Sequence, residues 1–128
     1  MTDEEVKIVI PMRTPTLNDT LEMHWAARSR DKKMWKEWMV IGGPRGIKKR
    51  FARIVKVLCI RRRLLDKDNF KGGCKAIIDN LKDIGWIEDD RPGKVEVFYY
   101  QEAGHPDRTE IVLSEFDGEK DESKNKKG

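Results

Sequence analysis

The stretch from Asp66 to Asp90 constrains the fold more than any other part of the chain, because it combines a helical pattern with acidic residues at both ends. Its apolar residues recur at intervals of four and three, which predicts one continuous helix with a buried face. These residues are Phe70, Cys74, Ile77, Leu81 and Ile84. Asp68 or Asn69 can cap the start of the helix, and Gly85 is typical of a helix end. The rest of the chain has to supply the surface on which this helix packs.

Apolar and β-branched runs elsewhere predict that surface to be a sheet. Val6–Ile10 is a first strand, and a longer one precedes Asp66. Lys94–Gln101 and Thr109–Phe116 are predicted to form a β-hairpin. A second helix is predicted from about residue 27 to residue 41, after a loop that begins at the first proline. The predicted fold is therefore α+β, a small mixed β-sheet with two main α-helices packed on it.

Length and composition predict one small soluble domain. A chain of 128 residues fits a single domain, here residues 1–116, and the polar residues 117–128 are predicted to be a disordered tail. Cys59 and Cys74 lack the spacing of a zinc or disulfide framework, so both are predicted to be free core thiols in a reducing compartment. The acidic amino terminus resembles neither a secretory signal nor a membrane span, which predicts a cytoplasmic protein without membrane attachment.

Positive charge is concentrated between Pro44 and Arg63, although the net charge of the whole chain is only +4. This segment contains nine basic residues and no acid. Either it is a solvated surface, or it binds phosphates. The candidate DNA-binding residues, which include one lysine from the later helix, are Lys48, Lys49, Arg50, Arg61, Arg62, Arg63 and Lys71.

Carboxylates before and after the predicted helix are candidate metal ligands. They are Asp66, Asp68, Asp89 and Asp90. Hydrolysis of a phosphodiester needs neutralisation of negative charge and an activated water, and Mg²⁺ held by carboxylates supplies both. Lys75 projects from the helix on a polar flank, and arginines upstream can hold the substrate phosphates. Glycosyltransferases also use an aspartate pair on a metal, but the nucleotide-sugar domain they require does not fit in 128 residues, so no nucleotide cofactor is expected.

Three motifs resemble one known family. The run D-x-D-N at 66–69, K-A-I-I-D from Lys75 and W-I-E-D-D from Trp86 are similar to the signature of the RusA-type Holliday-junction resolvases, and the likeness extends over about residues 6–116. These are small homodimeric endonucleases that cleave four-way DNA junctions during recombination and repair. The resemblance implies a RusA-like fold, a homodimer and dependence on Mg²⁺, for which Mn²⁺ can substitute.

The resemblance also assigns roles to individual residues. Asp66, Asp68 and Asp90 correspond to the three catalytic, metal-binding aspartates. Lys75 corresponds to the lysine that contacts the scissile phosphate or helps to polarise the water. Lys71 is an alternative for that role because extra residues separate the first motif from Lys75. An additional acid after Trp86 leaves Asp89 as an alternative to Asp90.

Two other functions are compatible with these residues. One is a branched-DNA-binding protein that has the fold without catalysis, and the other is a nuclease of the same chemistry that acts on flaps or other branched DNA. The four tryptophans can stack on unpaired bases, although their positions favour core or dimer packing; they are Trp25, Trp35, Trp38 and Trp86. His24 and His105 stand alone, which is typical of surface or capping residues.

Overall fold

The computed structural model describes residues 5–43, 51–91 and 93–116, and these form four strands and four helices. In chain order the elements are β1 (Glu5–Ile10), α1 (Leu17–Glu22), α2 (Trp25–Gly42), β2 (Ala52–Arg61), α3 (Lys67–Gly73), α4 (Lys75–Ile84), β3 (Glu96–Ala103) and β4 (Arg108–Phe116). The predicted α+β class with a mixed sheet is confirmed. The tail at residues 117–128 lies outside the described residues.

The four strands form one sheet in the order β1-β4-β2-β3. β2 runs parallel to β3 and antiparallel to β4, so it lies between the two strands that were predicted to pair as a hairpin. That prediction is wrong. The connection between β3 and β4 crosses the end of β2, where the Gly104 amide donates a hydrogen bond to the Arg61 carbonyl oxygen at 2.9 Å. β2 carries the most apolar strand sequence. Its interior position in the sheet places a hydrogen-bonded strand along each of its two edges.

The helices cover one face of the sheet and form the core with it. Trp35 and Met39 of α2 and Ile77 and Leu81 of α4 are buried against inward-facing strand residues such as Val57. The apolar stripe predicted for the helix between the acidic clusters, which includes Ile77 and Leu81, therefore does face the core. No helix among the described residues is long and apolar enough to cross a membrane.

The helix predicted between the acidic clusters is interrupted at Cys74, which ends α3 and begins α4. A short helix, α1, also replaces part of the predicted loop and packs on α3. The α1 segment and the interrupted helix contact each other at the glycine pair. The chain around Pro15 passes so close to Gly73 that a Cβ there would lie 2.6 Å from the Pro15 carbonyl carbon, and Leu17 fills the space beside Gly72. The glycine pair thus makes room for the α1 segment.

Candidate active site

The acidic loop before α3 is fixed to the edge strand β3. Gln101 accepts a hydrogen bond from the Leu65 amide and donates one to the Leu65 carbonyl oxygen, each at 2.9 Å. The next residue, Asp66, caps α3 by accepting a hydrogen bond from the Asn69 amide at 3.2 Å. Asp66 is therefore the cap, in place of the predicted Asp68 or Asn69. Its carboxylate is exposed and lies outside the cleft described next.

A cleft of about 380 Å³ separates α3 and α4 from β3 and the acidic segment after α4. Its lining residues are Asp68, Lys71, Gly72, Lys75, Ile78, Asp79, Asp90, Val97 and Tyr99. Two of the predicted aspartates and both candidate lysines thus meet on one concave surface. The lining residues of α3 and α4 recur at intervals of three and four, so one face of this helical segment lines the cleft.

The two candidate lysines have different neighbours. The Lys75 ammonium lies 3.4 Å from the Asp79 carboxylate, one turn further along α4. This is the orienting contact that the spacing of the two residues allows. The Lys71 ammonium lies 5.7 Å from the centre of the Tyr99 ring, within the range of a cation–π interaction. The Lys75 ammonium is therefore next to a carboxylate, and the Lys71 ammonium is next to an aromatic ring.

The geometry distinguishes Asp90 from Asp89. Asp90 is exposed and lines the cleft. Asp89 instead accepts a hydrogen bond from the Asp90 amide at 2.7 Å and forms an ion pair with Arg91 at 2.7 Å. Desolvation acts to raise the pKa of the Asp89 carboxyl, but the hydrogen bonds from Asp90 and the charges of Arg91 and Lys82 lower this pKa below its ordinary value. Asp89 serves to hold the segment that presents Asp90.

Tyr99 is a cleft residue that sequence reasoning missed. Phe70 packs edge-on against its ring, with 6.2 Å between the ring centres. Burial, followed by the charges of Cys74 and Asp90, raises the pKa of the Tyr99 phenol, which therefore stays protonated near neutral pH and can donate a hydrogen bond. The alternation of side chains along β3 was the available signal, since it places Tyr99 on the same face as Val97 and Gln101.

The cleft contains fewer carboxylates than a metal site made only of protein ligands requires. Among residues 5–43, 51–91 and 93–116, no three or more His, Cys, Asp or Glu side chains come close enough together to hold an ion by themselves. Asp68 and Asp90 nevertheless line the same cleft. Mg²⁺ is commonly bound through one or two carboxylates, with water and substrate phosphates completing its coordination. The donor set of the cleft fits this mode and does not fit a closed protein cage.

Comparison with known proteins gives no matching family model and no matching curated protein.

The three arginines at the end of β2 have different environments. The Arg61 side chain is buried, and its guanidinium donates hydrogen bonds to the Thr14 hydroxyl at 3.0 Å and the Cys59 sulfur at 3.5 Å. Arg61 was predicted to be a DNA-binding residue, but its donors instead bind Thr14 in the loop after β1. Arg62 and Arg63 are exposed. They line a cavity of about 670 Å³ together with Arg13 and Thr16.

Three further DNA-binding candidates, Lys48, Lys49 and Arg50, lie outside the described residues. The two cysteines are buried and free, as predicted. Burial, with the neighbouring Cys59, raises the pKa of the Cys74 thiol to about 12, so that thiol is protonated at neutral pH.

Proposed function

We propose that this protein is a Mg²⁺-dependent, structure-selective endonuclease that resolves four-way DNA junctions by phosphodiester hydrolysis, in the manner of the RusA-type resolvases that its sequence resembles. The observation that carries the proposal is the cleft between the helices and β3. Asp68 and Asp90 come from segments on either side of α4, yet they line one surface with Lys71 and Lys75. Carboxylates and lysines together in a cleft are suited to binding a cation and a phosphate at the same time.

The residues of the cleft have complementary roles in this proposal. Asp68 and Asp90 hold the cation, and Asp66 joins them if its capping contact with Asn69 is exchanged for a metal contact. Lys75, positioned by Asp79, contacts the scissile phosphate, and Lys71 adds positive charge beside it. When bound, Mg²⁺ or Mn²⁺ neutralises the developing negative charge and lowers the pKa of an attacking water. The Tyr99 hydroxyl is available as a donor to a phosphate oxygen.

A junction-cleavage assay tests the proposal directly. We expect the protein to cut a synthetic four-way junction in Mg²⁺ or Mn²⁺ and to be inactive in EDTA, because two carboxylates and two lysines alone do not activate water at neutral pH. A flap and a linear duplex of the same sequence serve as matched substrates. Junction binding without cleavage in either metal would instead favour a non-catalytic protein that binds branched DNA. Preferential cutting of the flap would favour a nuclease of the same chemistry that acts on other branched DNA.

The exposed arginines at the end of β2 give a second test. Replacing Arg62 and Arg63 with Ala is expected to weaken junction binding and to reduce the slope of log Kd against log salt by about 2, since each phosphate contact contributes about 0.9 to this slope. Both side chains are exposed, so folding should be unaffected. A matched control is Lys33→Ala together with Lys36→Ala, which removes the same charge from α2. An unchanged salt slope in the first variant would indicate a solvated surface.

A homodimer is part of the same proposal. The face of the sheet opposite the helices exposes large apolar side chains, including Val9, Phe98 and Tyr100. β-Sheet faces that carry such residues are commonly covered by another layer. A second copy packed on this face would bury these side chains and leave both clefts, which open on the helical side, accessible to DNA.

A further inference from the structure

Trp25 has an exposure that packing within the described chain does not explain. Its relative accessibility is 72%, compared with 2% for Trp35 and 7% for Trp86, which are core residues as predicted. Leu21, on the preceding helix, is also exposed at 63%. Of the two predicted alternatives for Trp25, core or dimer packing, the first is therefore wrong. The start of α2 presents a large aromatic ring to solvent.

The ring is presented by a well-defined local structure. His24 caps α2, because its Nδ1 atom accepts a hydrogen bond from the Ala26 amide at 3.1 Å. The His24 and Trp25 ring centres are 5.6 Å apart at an angle of 34°. Trp25 is the first residue of an 18-residue helix whose inner face is anchored in the core. The exposed aromatic ring thus stands at a fixed point of the fold.

Contacts between the helices place this point at the end of the helical layer that carries the cleft lysines. The Asn80 amide group donates a hydrogen bond to the Lys32 carbonyl oxygen at 3.0 Å, and further along both helices Gly43 lies against the Trp86 ring. The two helices therefore run in the same general direction, and the start of α2 lies toward the start of α4. Lys75 is the first residue of α4.

The preceding helix connects the two regions from the other side. α1 packs on α3, where the Asn18 amide donates a hydrogen bond to the Asn69 side chain at 3.0 Å. α1 is only six residues long, which corresponds to about 9 Å at 1.5 Å per residue. Trp25 begins the next helix after a two-residue turn. It is therefore linked to α3 through α1, and it is not among the residues that line the cleft.

The charge around Trp25 indicates the chemistry of its partner. Arg28 and Arg30, within the next two turns of α2, are exposed, and no acid occurs between His24 and Arg30. The exposed Trp25 ring and the exposed arginines are complementary to a ligand that has flat aromatic bases and a phosphate backbone. An apolar protein surface would not complement the two guanidinium groups.

We propose that Trp25 is a stacking platform for a base at the branch point of a DNA junction, where base pairs lose a stacking neighbour. This inference rests on the proposed function and adds to it the feature of the substrate that the protein recognises outside the cleft. Exposed aromatic rings bind bases through stacking without reading their sequence, whereas in a continuous duplex the faces of the bases are already covered. Trp25 would thus favour branched over linear DNA.

The test is the binding of two synthetic DNAs in EDTA at one salt concentration: a four-way junction, and a linear duplex with the sequence of two of its arms. Trp25→Ala is expected to weaken junction binding about tenfold and duplex binding less than twofold, since stacking on one aromatic ring is worth roughly this factor. Trp25→Phe keeps a stacking face and should retain most of the preference. Trp38→Ala is the matched control, because Trp38 is also on α2 and is 39% exposed.

A fluorescent base analogue at the branch point gives a second measurement. Wild-type protein should quench or shift its emission, and Trp25→Ala should not. An equal loss of affinity for both DNAs, no loss at all, or the same junction-specific loss in Trp38→Ala would overturn the inference. Binding is measured without metal and therefore does not depend on cleavage. A wild-type protein that fails to cleave would contradict the proposed function, but the binding comparison between Trp25→Ala and wild type would still test the role of Trp25.

Discussion

Asp68→Asn is expected to abolish cleavage of a four-way junction, with a loss of about 10³-fold or more, and to leave junction binding intact. Asparagine keeps the shape of the side chain and removes the charge that would hold the cation, and metal catalysis contributes several kcal/mol to such a reaction. Asp68 is exposed and lines the cleft, so the substitution leaves no unpaired buried group. Single-turnover cleavage in Mg²⁺, with binding measured in EDTA, separates the two effects.

Asp83→Asn is the matched control for this prediction. Asp83 is on α4, where it pairs with Lys32 at 3.6 Å, and it does not line the cleft. It has the same charge as Asp68, and its replacement should leave the cleavage rate within about twofold of wild type. Full activity of Asp68→Asn would contradict the metal-ligand role. Equal losses in both variants would point to the general charge of the surface.

Gly73→Ala is expected to destabilise the protein by about 3 kcal/mol, the upper range for overpacking in a well-packed interior. The added Cβ would overlap the backbone at Pro15 and Thr16, which cannot rotate away as a flexible side chain can. Either α1 must separate from α3, or α3 must shift. Urea denaturation followed by circular dichroism gives the change in the unfolding free energy.

Gly72→Ala provides the comparison at the neighbouring position. A Cβ there would meet only the side chain of Leu17, at 2.8–3.0 Å, and the higher helix propensity of alanine offsets up to about 1 kcal/mol. The stability of this variant should therefore lie within about 1 kcal/mol of wild type. If both glycine variants were equally stable, close backbone approach would not be the reason for the glycine pair.

The parts of the fold that follow from local pattern were predictable. The stripe that includes Ile77 and Leu81 is buried, and Gly85 ends α4 in the left-handed conformation, with φ of 94°. The start of α3 was predicted to within three residues, since Asp66 caps it in place of Asp68 or Asn69. Such features depend on residues a few positions apart, which are visible in a linear sequence.

Features that depend on distant residues were not predictable. The hairpin prediction failed because the sequence of two strands and a turn does not indicate that β2 inserts between them. Arg61 belongs to a basic run in the sequence. It is nevertheless buried, because Thr14, 47 residues away, accepts its hydrogen bond. The close approach of Pro15 to Gly73 likewise depends on residues far apart in the chain, which helix periodicity does not include. Asp90 lines the cleft and Asp89 does not, and only the contacts of each side chain in the structure distinguish the two residues.

The order of strands in the sheet has a consequence for how the chain folds. β1 pairs only with β4, so Glu5 lies opposite Ser114, and β2 gains its second neighbour only when β4 is available. Among the described strands that are consecutive in the chain, only β2 and β3 are hydrogen-bonded to each other, and two helices separate them in the sequence. Sheets built from such non-local pairings fold slowly, because loop closure precedes any stabilising contact. During synthesis, β1 must therefore remain unpaired until β4 leaves the ribosome, and this interval is when the protein is most exposed to aggregation.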